Sequence, residues 1–347
     1  MKVVVRCKNS EEISKVKSLI SSCTNCSNIP YFCADLSEEE IMMLTNEGIE
    51  VYNDSKISMC STGLCDIKGG YITTGDVRRS INADKTGLSG SGVIVGVMDT
   101  GIDILHPDVG GSVIASIDTY DEGKEGDVMG HGTHVAGCIT SIAPGARLVS
   151  IRVFDEKGQG NLSSFIKGID AAITQKVHII NYSGGDLDLG KIQDPLVNDM
   201  TEKYGIIMIS AAGNEHKNFV ASPGSAIMSV CVGSVDNTGF KSGFSNTGNK
   251  NSFFKPDVSM FGEKILSSIG EKMDSLNCGY GVMTGTSMST GFVTGLIAQA
   301  FQLRKLSREQ LENAFSKSGN SSMKNNVVGY GVIDAVEFIN SIEKEVY

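Results

Sequence analysis

The sequence predicts an α/β protein, a mostly parallel, doubly wound sheet preceded by a small α+β unit. Three observations carry this. Beyond Gly92, short apolar runs alternate with stretches of helical periodicity; the apolar residues in those runs are mostly consecutive, not at every second residue; and residues 1–59 show a separate, shorter alternation of their own. Strands apolar on both faces belong in a parallel sheet covered by helices on either side.

Residues 2–7 read as a first strand. Ser10, followed by Glu11 and Glu12, opens a helix in which Ile13, Val16, Leu19 and Ile20 recur at helical spacing. Residues 31–36 form the next strand. Ser37 with Glu40 three residues on makes a capping box ahead of Ile41, Met42 and Leu44, Gly48 closes that helix, and residues 49–52 return as a strand. The order β-α-β-α-β fits a small sheet with helices on one face. Residues 60–90 hold Gly63, Gly69, Gly70, Gly75, Gly87 and Gly90 with little periodicity and read as a connector. Strands are then expected at 93–98, 147–153, 178–182, 206–212 and 228–235, with helices at 163–175 and 194–204. The expected division is 1–65, a linker 66–84 carrying a processing site, and 85–347. In such a sheet ligands bind beyond the carboxyl ends of the strands, which makes the residues just after each strand the ones to inspect.

Composition narrows the function. The 347 residues carry 30 Lys+Arg against 40 Asp+Glu, a net charge of −10, which disfavours a phosphate-backbone binder. With no Trp and 6% aromatics, a stacking platform for bases or sugars is not expected. No apolar run reaches the ~18–20 residues of a membrane span. Only three consecutive apolar residues precede Arg6, so no export signal is read and a cytoplasmic location is the expectation. Nine cysteines, an odd number, then read as reduced thiols. Cys23 and Cys26, with Cys7 and Cys33 around them, lack the second close pair and the histidine of a zinc site, and no metal is expected there.

The chemistry-bearing residues stand at strand ends and helix starts. Asp99-Thr100-Gly101 follows the 93–98 run; Gly130-His131-Gly132-Thr133-His134 opens a helical stretch; Ala211-Ala212-Gly213-Asn214-Glu215 follows the 206–212 run; Gly285-Thr286-Ser287-Met288-Ser289 leads into a helix through Phe301. A serine hydroxyl is a weak nucleophile that needs an adjacent base. A neutral imidazole can serve, held in one tautomer by a buried carboxylate, and a developing oxyanion needs donors fixed beforehand. Asp99, His131, Ser287 and Asn214 supply one of each. Singly they are weak signals: one Asp-Thr-Gly is half of what a two-carboxylate protease requires, and a histidine beside glycine is more often structural. In the order Asp, His, Asn, Ser they are specific.

At these residues the chain resembles the subtilisin-like serine proteases, or subtilases. The matching blocks are VGVMDTGID at 95–103, GHGTHVAG at 130–137, AAGNE at 211–215 and GTSMS at 285–289, joined by Asn181 to Gly185, Ser222-Pro223 and residues 329–335. The resemblance implies a serine endopeptidase, with Ser287 as nucleophile, His131 as base, Asp99 as its orienter, and Asn214 and the Ser287 N–H as oxyanion donors. It implies that Ser183, Gly184 and Gly185 line an edge that pairs with an extended peptide, and that Ala212, Gly213, Glu215 and Pro223 shape the pocket for the residue before the cleaved bond. Residues 1–59 resemble the family's inhibitory, ferredoxin-like propeptide. This implies an autoprocessed zymogen with its own propeptide in the cleft, and the missing export signal suggests a maturation role such as leader-peptide removal.

The chain also departs from the family. Gly291 and Phe292 stand where the family carries Pro and His, and a glycine early in the helix is expected to loosen it; a catalytically impaired binding protein is the alternative reading. The family's calcium loop after the His helix has no room between Cys138 and Pro144, so that site is expected to be absent and no cofactor is expected, with calcium at other positions left open, although Asp108 matches one carboxylate ligand of the missing site. Met288 is expected to line the cleft, Cys138 to pack beneath it, His134 to support the cleft wall and His106 to pack within its turn.

Overall fold

The computed structural model describes residues 1–20, 23–60, 70–120, 123–124, 126–186, 190–249, 254–270 and 278–344. The N-terminal unit runs β1 (Lys2–Arg6), α1 (Ser10–Leu19), β2 (Cys23–Asn25), β3 (Tyr31–Asp35), α2 (Glu38–Asn46) and β4 (Glu50–Asn53), in an antiparallel sheet of order β2-β3-β1-β4. This is the ferredoxin-like arrangement, with one short strand, β2, more than the sequence announces. Asn9, not Ser10, caps α1, while the Ser37–Glu40 capping box opens α2 as expected.

The sheet is apolar on both faces because both are covered. Val3, Val5 and Phe32 pack with α1 and α2, whereas Val4, Tyr31 and Cys33 join a core shared with the larger unit. Successive strand residues point to opposite faces, so the run Val3-Val4-Val5 serves two cores at once.

The chain continues through β5 (Lys56–Met59), then β6 (Ile72–Thr73) and α3 (Thr74–Ser80). The expected linker 66–84 thus divides: 66–69 lie outside the described residues, and 70–84 are folded onto the larger unit, with Val77, Ile81 and Ala83 in its core. Glycine content suggested a tether; packing of these three side chains made it structure.

The larger unit follows as β7 (Ile94–Asp99), β8 (Val113–Asp118), α4 (His131–Ile142), β9 (Arg147–Arg152), β10 (Gln159–Asn161), α5 (Leu162–Thr174), β11 (Ile179–Tyr182), β12 (Gly184–Gly185), α6 (Gly190–Tyr204), β13 (Ile207–Ala211), β14 (Val230–Val235), β15 (Val258–Phe261), β16 (Ile265–Ser268), β17 (Tyr280–Met283), α7 (Thr286–Leu303), α8 (Arg308–Ser318) and α9 (Ala335–Glu343). Seven of these strands form a parallel sheet of order β15-β14-β13-β11-β7-β9-β8. Val95, Val97, Ile179, Ile207 and Ile209 face α4 and α7, while Met98, Ile180 and Met208 face α5 and α6. The fold is therefore α/β and doubly wound.

The strand order reverses at β7, which has β9 on one side and β11 on the other. The carboxyl edge beside such a reversal is where open α/β sheets make their crevice. Asp99 is the last residue of β7.

Candidate active site

Asp99 and His131 meet at the carboxyl end of β7. Both are fully buried, and His131 Nδ1 lies 2.7 Å from Asp99 Oδ1, which also accepts the Thr100 N–H at 2.8 Å. A carboxylate acceptor at Nδ1 places the proton there and leaves Nε2 as the basic nitrogen. Nε2 is buried with no hydrogen-bond partner.

His131 is fixed by a residue that the sequence reading missed. Asp127, buried, accepts the N–H groups of Met129 at 3.0 Å and Gly130 at 2.6 Å, the Thr133 N–H at 2.9 Å, and the hydroxyls of Thr100 at 2.8 Å and Thr133 at 2.6 Å. An anion that satisfies the free N–H groups at a helix start also complements its dipole. Gly132 is required by the close approach of α4 to the turn after β7: a Cβ there would lie 1.9 Å from the Gly101 carbonyl oxygen. The acid three residues before Gly130 was the available signal.

Ser287 is the second residue of α7. The helix pair α4/α7 sets its height against His131. A Cβ on Gly291 would meet Val135 and Cys138, and one on Gly295 would meet Ile139 and Ile142. Both contacts advance by four residues in the same sense, so the helices run parallel. Four residues back from Gly291 and Val135 stand Ser287 and His131, level with each other at the helix starts. Gly291 therefore lets the helices close up, a packing reason for a glycine that was expected only to loosen α7. Phe292 is buried in the same core. Met288, expected in the cleft, is likewise wholly buried in that core, and Cys138 packs as expected.

Asn214 follows β13. Its Oδ1 accepts the Thr286 N–H at 3.1 Å and the Thr286 hydroxyl at 2.9 Å, which turns the amide so that Nδ2 is left buried with no partner. Asn246, also missed from the sequence, ties the loop together. Its Oδ1 accepts the N–H groups of Glu215 at 3.0 Å and Lys217 at 2.8 Å, its own N–H donates to the Gly213 carbonyl at 3.0 Å, and Nδ2 donates to Glu215 Oε2 at 2.6 Å.

The Ser287 hydroxyl does not bond to His131. It donates to the carbonyl oxygen of Cys60, and more distantly, at 3.4 Å, to that of Ser183. The Cys60 N–H donates to the Ser183 carbonyl at 2.8 Å. Ahead of Cys60, β5 lies between two edges of the larger unit, antiparallel to both. Met59 and Ser58 pair with Gly184 and Gly185, and Ser58, Ile57 and Lys56 pair with Gln159, Gly160 and Asn161. The cleft edge expected at Ser183, Gly184 and Gly185 is thus occupied by an extended segment of the same chain.

The residues expected to shape a pocket adjoin that edge. Ala212 clusters with Val220 and Cys231, and its carbonyl accepts the Ala221 N–H at 2.9 Å. Gly213 adopts φ +104°, open to glycine, and a Cβ on Gly185 would touch Ala221 and Ser222. Pro223 follows a cis peptide bond after Ser222. Asp194, which the sequence reading passed over, anchors this loop by accepting the Ser222 hydroxyl at 2.6 Å and the Ser225 hydroxyl at 2.7 Å; burial pushes its carboxyl up against the pull of those two bonds.

Two further histidines lie nearby, and His106, expected to pack within its turn, also reaches across to a distant loop. His134 Nε2 faces the carbonyls of Ile265 at 3.0 Å and Gly281 at 3.2 Å, and burial followed by the neighbouring His131 lowers it to about 3. His106 Nε2 lies 2.7 Å from the Gly279 carbonyl and edge-on to Tyr280. Asp108 Oδ2 accepts the hydroxyls of Tyr280 at 2.7 Å and Ser268 at 3.2 Å. Among the described residues no cluster of His, Cys, Asp and Glu is arranged to hold a metal ion, and no helix is long and apolar enough to cross a membrane. The eight described cysteines are free thiols; Cys65 lies outside the described residues.

Comparison with known proteins agrees with this geometry. The model of the subtilase family matches residues 90–331. The chain is similar to the major intracellular serine protease of Bacillus subtilis, 34% identical over 65% of this chain and 75% of that protein. It is similar to the intracellular serine protease of Paenibacillus polymyxa, 35% identical over 64% of this chain and 70% of the relative. It is also similar to subtilisin Savinase of Lederbergia lenta, 29% identical over 73% and 93% respectively.

Proposed function

Because the chain belongs to the subtilase family and is a subtilisin-like serine endopeptidase, we propose that Ser287, His131, Asp99 and Asn214 carry its chemistry and that residues 1–60 hold it as a zymogen. Ser287 Oγ attacks the peptide carbonyl while His131 Nε2 takes the hydroxyl proton, and Asp99 stabilises the imidazolium through Nδ1. The oxyanion settles against Asn214 Nδ2 and the Ser287 N–H at the start of α7, where the helix dipole favours negative charge. His131 then hands its proton to the leaving amine, and a water reverses the sequence on the acyl-enzyme.

The observation that carries the zymogen reading is the Ser287 hydroxyl donating to the Cys60 carbonyl, at the end of a strand paired to Gly184 and Gly185. The N-terminal unit has the contacts of a docked inhibitor. Asp54 accepts the N–H and hydroxyl of Ser163 at the start of α5, at 2.8 and 2.9 Å, and Asp170 accepts the N–H groups of Ser27 and Asn28 at 3.1 and 2.6 Å. Asp108 is a single carboxylate whose Oδ2 already accepts two hydroxyls, and residues 138–144 bring no second carboxylate to it, so the residues present do not make the family's calcium site and activity should survive chelation. The similarity to two intracellular serine proteases favours a cytoplasmic enzyme, and a maturation role such as leader-peptide removal would suit that location. The impaired-protein alternative draws no support from Gly291 and Phe292, which pack the α4/α7 core.

The test is a fluorophosphonate probe and a peptide substrate. Wild type should label at Ser287 and cleave; Ser287→Ala should do neither, losing at least about 10⁴-fold in kcat. Equal hydrolysis by both would overturn the assignment.

A further inference from the structure

We infer that Cys26 and Cys33 are a modification site: a low-molecular-weight disulfide oxidises the two thiols to an intrachain disulfide, and that bond tightens the hold of the N-terminal unit on the larger one. The bond itself is independent of the zymogen reading; its effect on latency rests on that reading.

The strand register sorts the cysteines of the N-terminal unit. Thr24 lies opposite Cys33, and the Cys26 N–H donates to the carbonyl of Tyr31, two residues before Cys33, at 3.1 Å. Residues two apart on a strand share a face. Cys26, Tyr31 and Cys33 thus fall together on the face that joins the shared core. Cys23, opposite Ala34, and Cys7 belong instead to the core under α1 and α2. The Cys26 thiol hydrogen-bonds to Cys33, and that bond, followed by burial, keeps Cys26 protonated, which leaves Cys33 to react first. Cys33 lines a cavity of about 790 Å³ between the two units, walled by Lys2 and Asp54 of one and by Thr119, Asn161 and Lys167 of the other. That space admits a small peptide disulfide, and the two ammonium groups suit one that carries carboxylates.

Cys33, its proton lost to water, attacks one sulfur of the incoming disulfide. A mixed disulfide forms, and one small thiolate leaves and takes up a proton. Cys26 then gives up its own proton and attacks the Cys33 sulfur, expelling the second small thiolate, which is protonated in turn. Two protein thiols are oxidised, and one small disulfide is reduced to two thiols.

The pair brackets the turn that docks. Between the two cysteines, the N–H groups of Ser27 and Asn28 donate to the Asp170 carboxylate at 3.1 and 2.6 Å. Asn28 Nδ2 donates to the Asp170 carbonyl at 3.2 Å and to the Thr174 hydroxyl at 2.9 Å. The thiols touch while this turn is docked, so the disulfide closes on the docked shape. A segment already fixed in its bound conformation loses less freedom on binding.

The experiment uses the full-length chain. Ser287→Ala protein is incubated with oxidised glutathione, its remaining thiols are blocked, and its peptides are mapped. Cys26 should be bridged to Cys33. In the same background Cys26→Ala should instead keep a glutathione on Cys33, and Cys33→Ala should show neither product. In the chain with Ser287 intact, oxidation should slow fluorophosphonate labelling about 5–10-fold, a reductant should restore it, and Cys33→Ala should be insensitive. Cys26 and Cys33 left unbridged would overturn the modification site. A bridge that leaves the labelling of an initially latent chain unchanged, or speeds it, would overturn the tightening. A full-length chain that labels at once, reduced or oxidised, would overturn the zymogen reading and leave the bridge in place.

Discussion

An alanine at Gly291 would put a Cβ 2.9 Å from Cys138 Cβ and 3.1 Å from the Val135 carbonyl oxygen. Ordinary carbon–carbon contact is about 3.5–4.0 Å, so α4 and α7 would have to part by roughly 0.6–1 Å. Overpacking of this kind costs about 1–3 kcal/mol, and replacing glycine within a helix returns about 1 kcal/mol. The expected balance is a loss of about 1 kcal/mol. The kinetic effect should be larger, because these two helices carry Ser287 and His131, and a misplacement approaching 1 Å can lower the rate on the order of 10²-fold. Urea unfolding in the Ser287→Ala background reads stability without self-cleavage, and peptide hydrolysis reads kcat. Cys138→Gly removes the opposing Cβ, so the pair Gly291→Ala/Cys138→Gly should recover part of the lost kcat. A Gly291→Ala protein about 1 kcal/mol more stable with full kcat would refute the reasoning, since helix propensity alone would then have decided the outcome.

Other predictions follow from single contacts. Asp127→Ala strips the start of α4 of its acceptor and should cost about 3–5 kcal/mol in a urea melt, because several buried donors lose their partner together; a loss under 1 kcal/mol would contradict the role given to it. Asn214→Leu should lower kcat about 10²–10³-fold with KM little changed, the scale of one oxyanion donor; a change in KM alone would assign Asn214 to substrate binding instead. His134, near 6.5 when unfolded and lowered to about 3 when folded, binds its proton more readily in the unfolded chain. Its contribution is therefore complete above about pH 6.5 and falls by up to about 1.4 kcal/mol per unit as pH drops toward 3; His134→Gln should flatten that slope.

Much of the fold was legible because burial writes itself into sequence. β7, β9, β11, β13 and β14 are predominantly apolar and almost wholly buried, and the Ser37–Glu40 box marks α2 unaided. β8 was missed because it is an edge strand whose residues alternate between half-buried and exposed. β5 was missed for a different reason: Lys-Ile-Ser-Met carries no strand signal of its own and is extended because β10 and β12 grip it from both sides. Likewise Ile81 and Ala83 hold no periodic pattern among their glycines, yet they pack into the core. In the site, Asp99, His131, Asn214 and Ser287 were found through motifs at strand ends and helix starts. Asp127 was not, although an acid three residues ahead of Gly130 was there to be read, and Asn246 and Asp194 were not, because their loop partners leave no trace in spacing. Met288 misled because adjacency to Ser287 in sequence says nothing of direction on a helix: one residue on, the side chain points into the core.

The central claim is that the segment filling the crevice belongs to the molecule whose crevice it is. Freshly isolated full-length chain, diluted over a hundredfold range, tests this by the rate at which the shortened product appears. A first-order rate constant unchanged by dilution is the predicted result. A rate that falls in proportion to concentration would mean that one molecule cuts another, and would contradict the account.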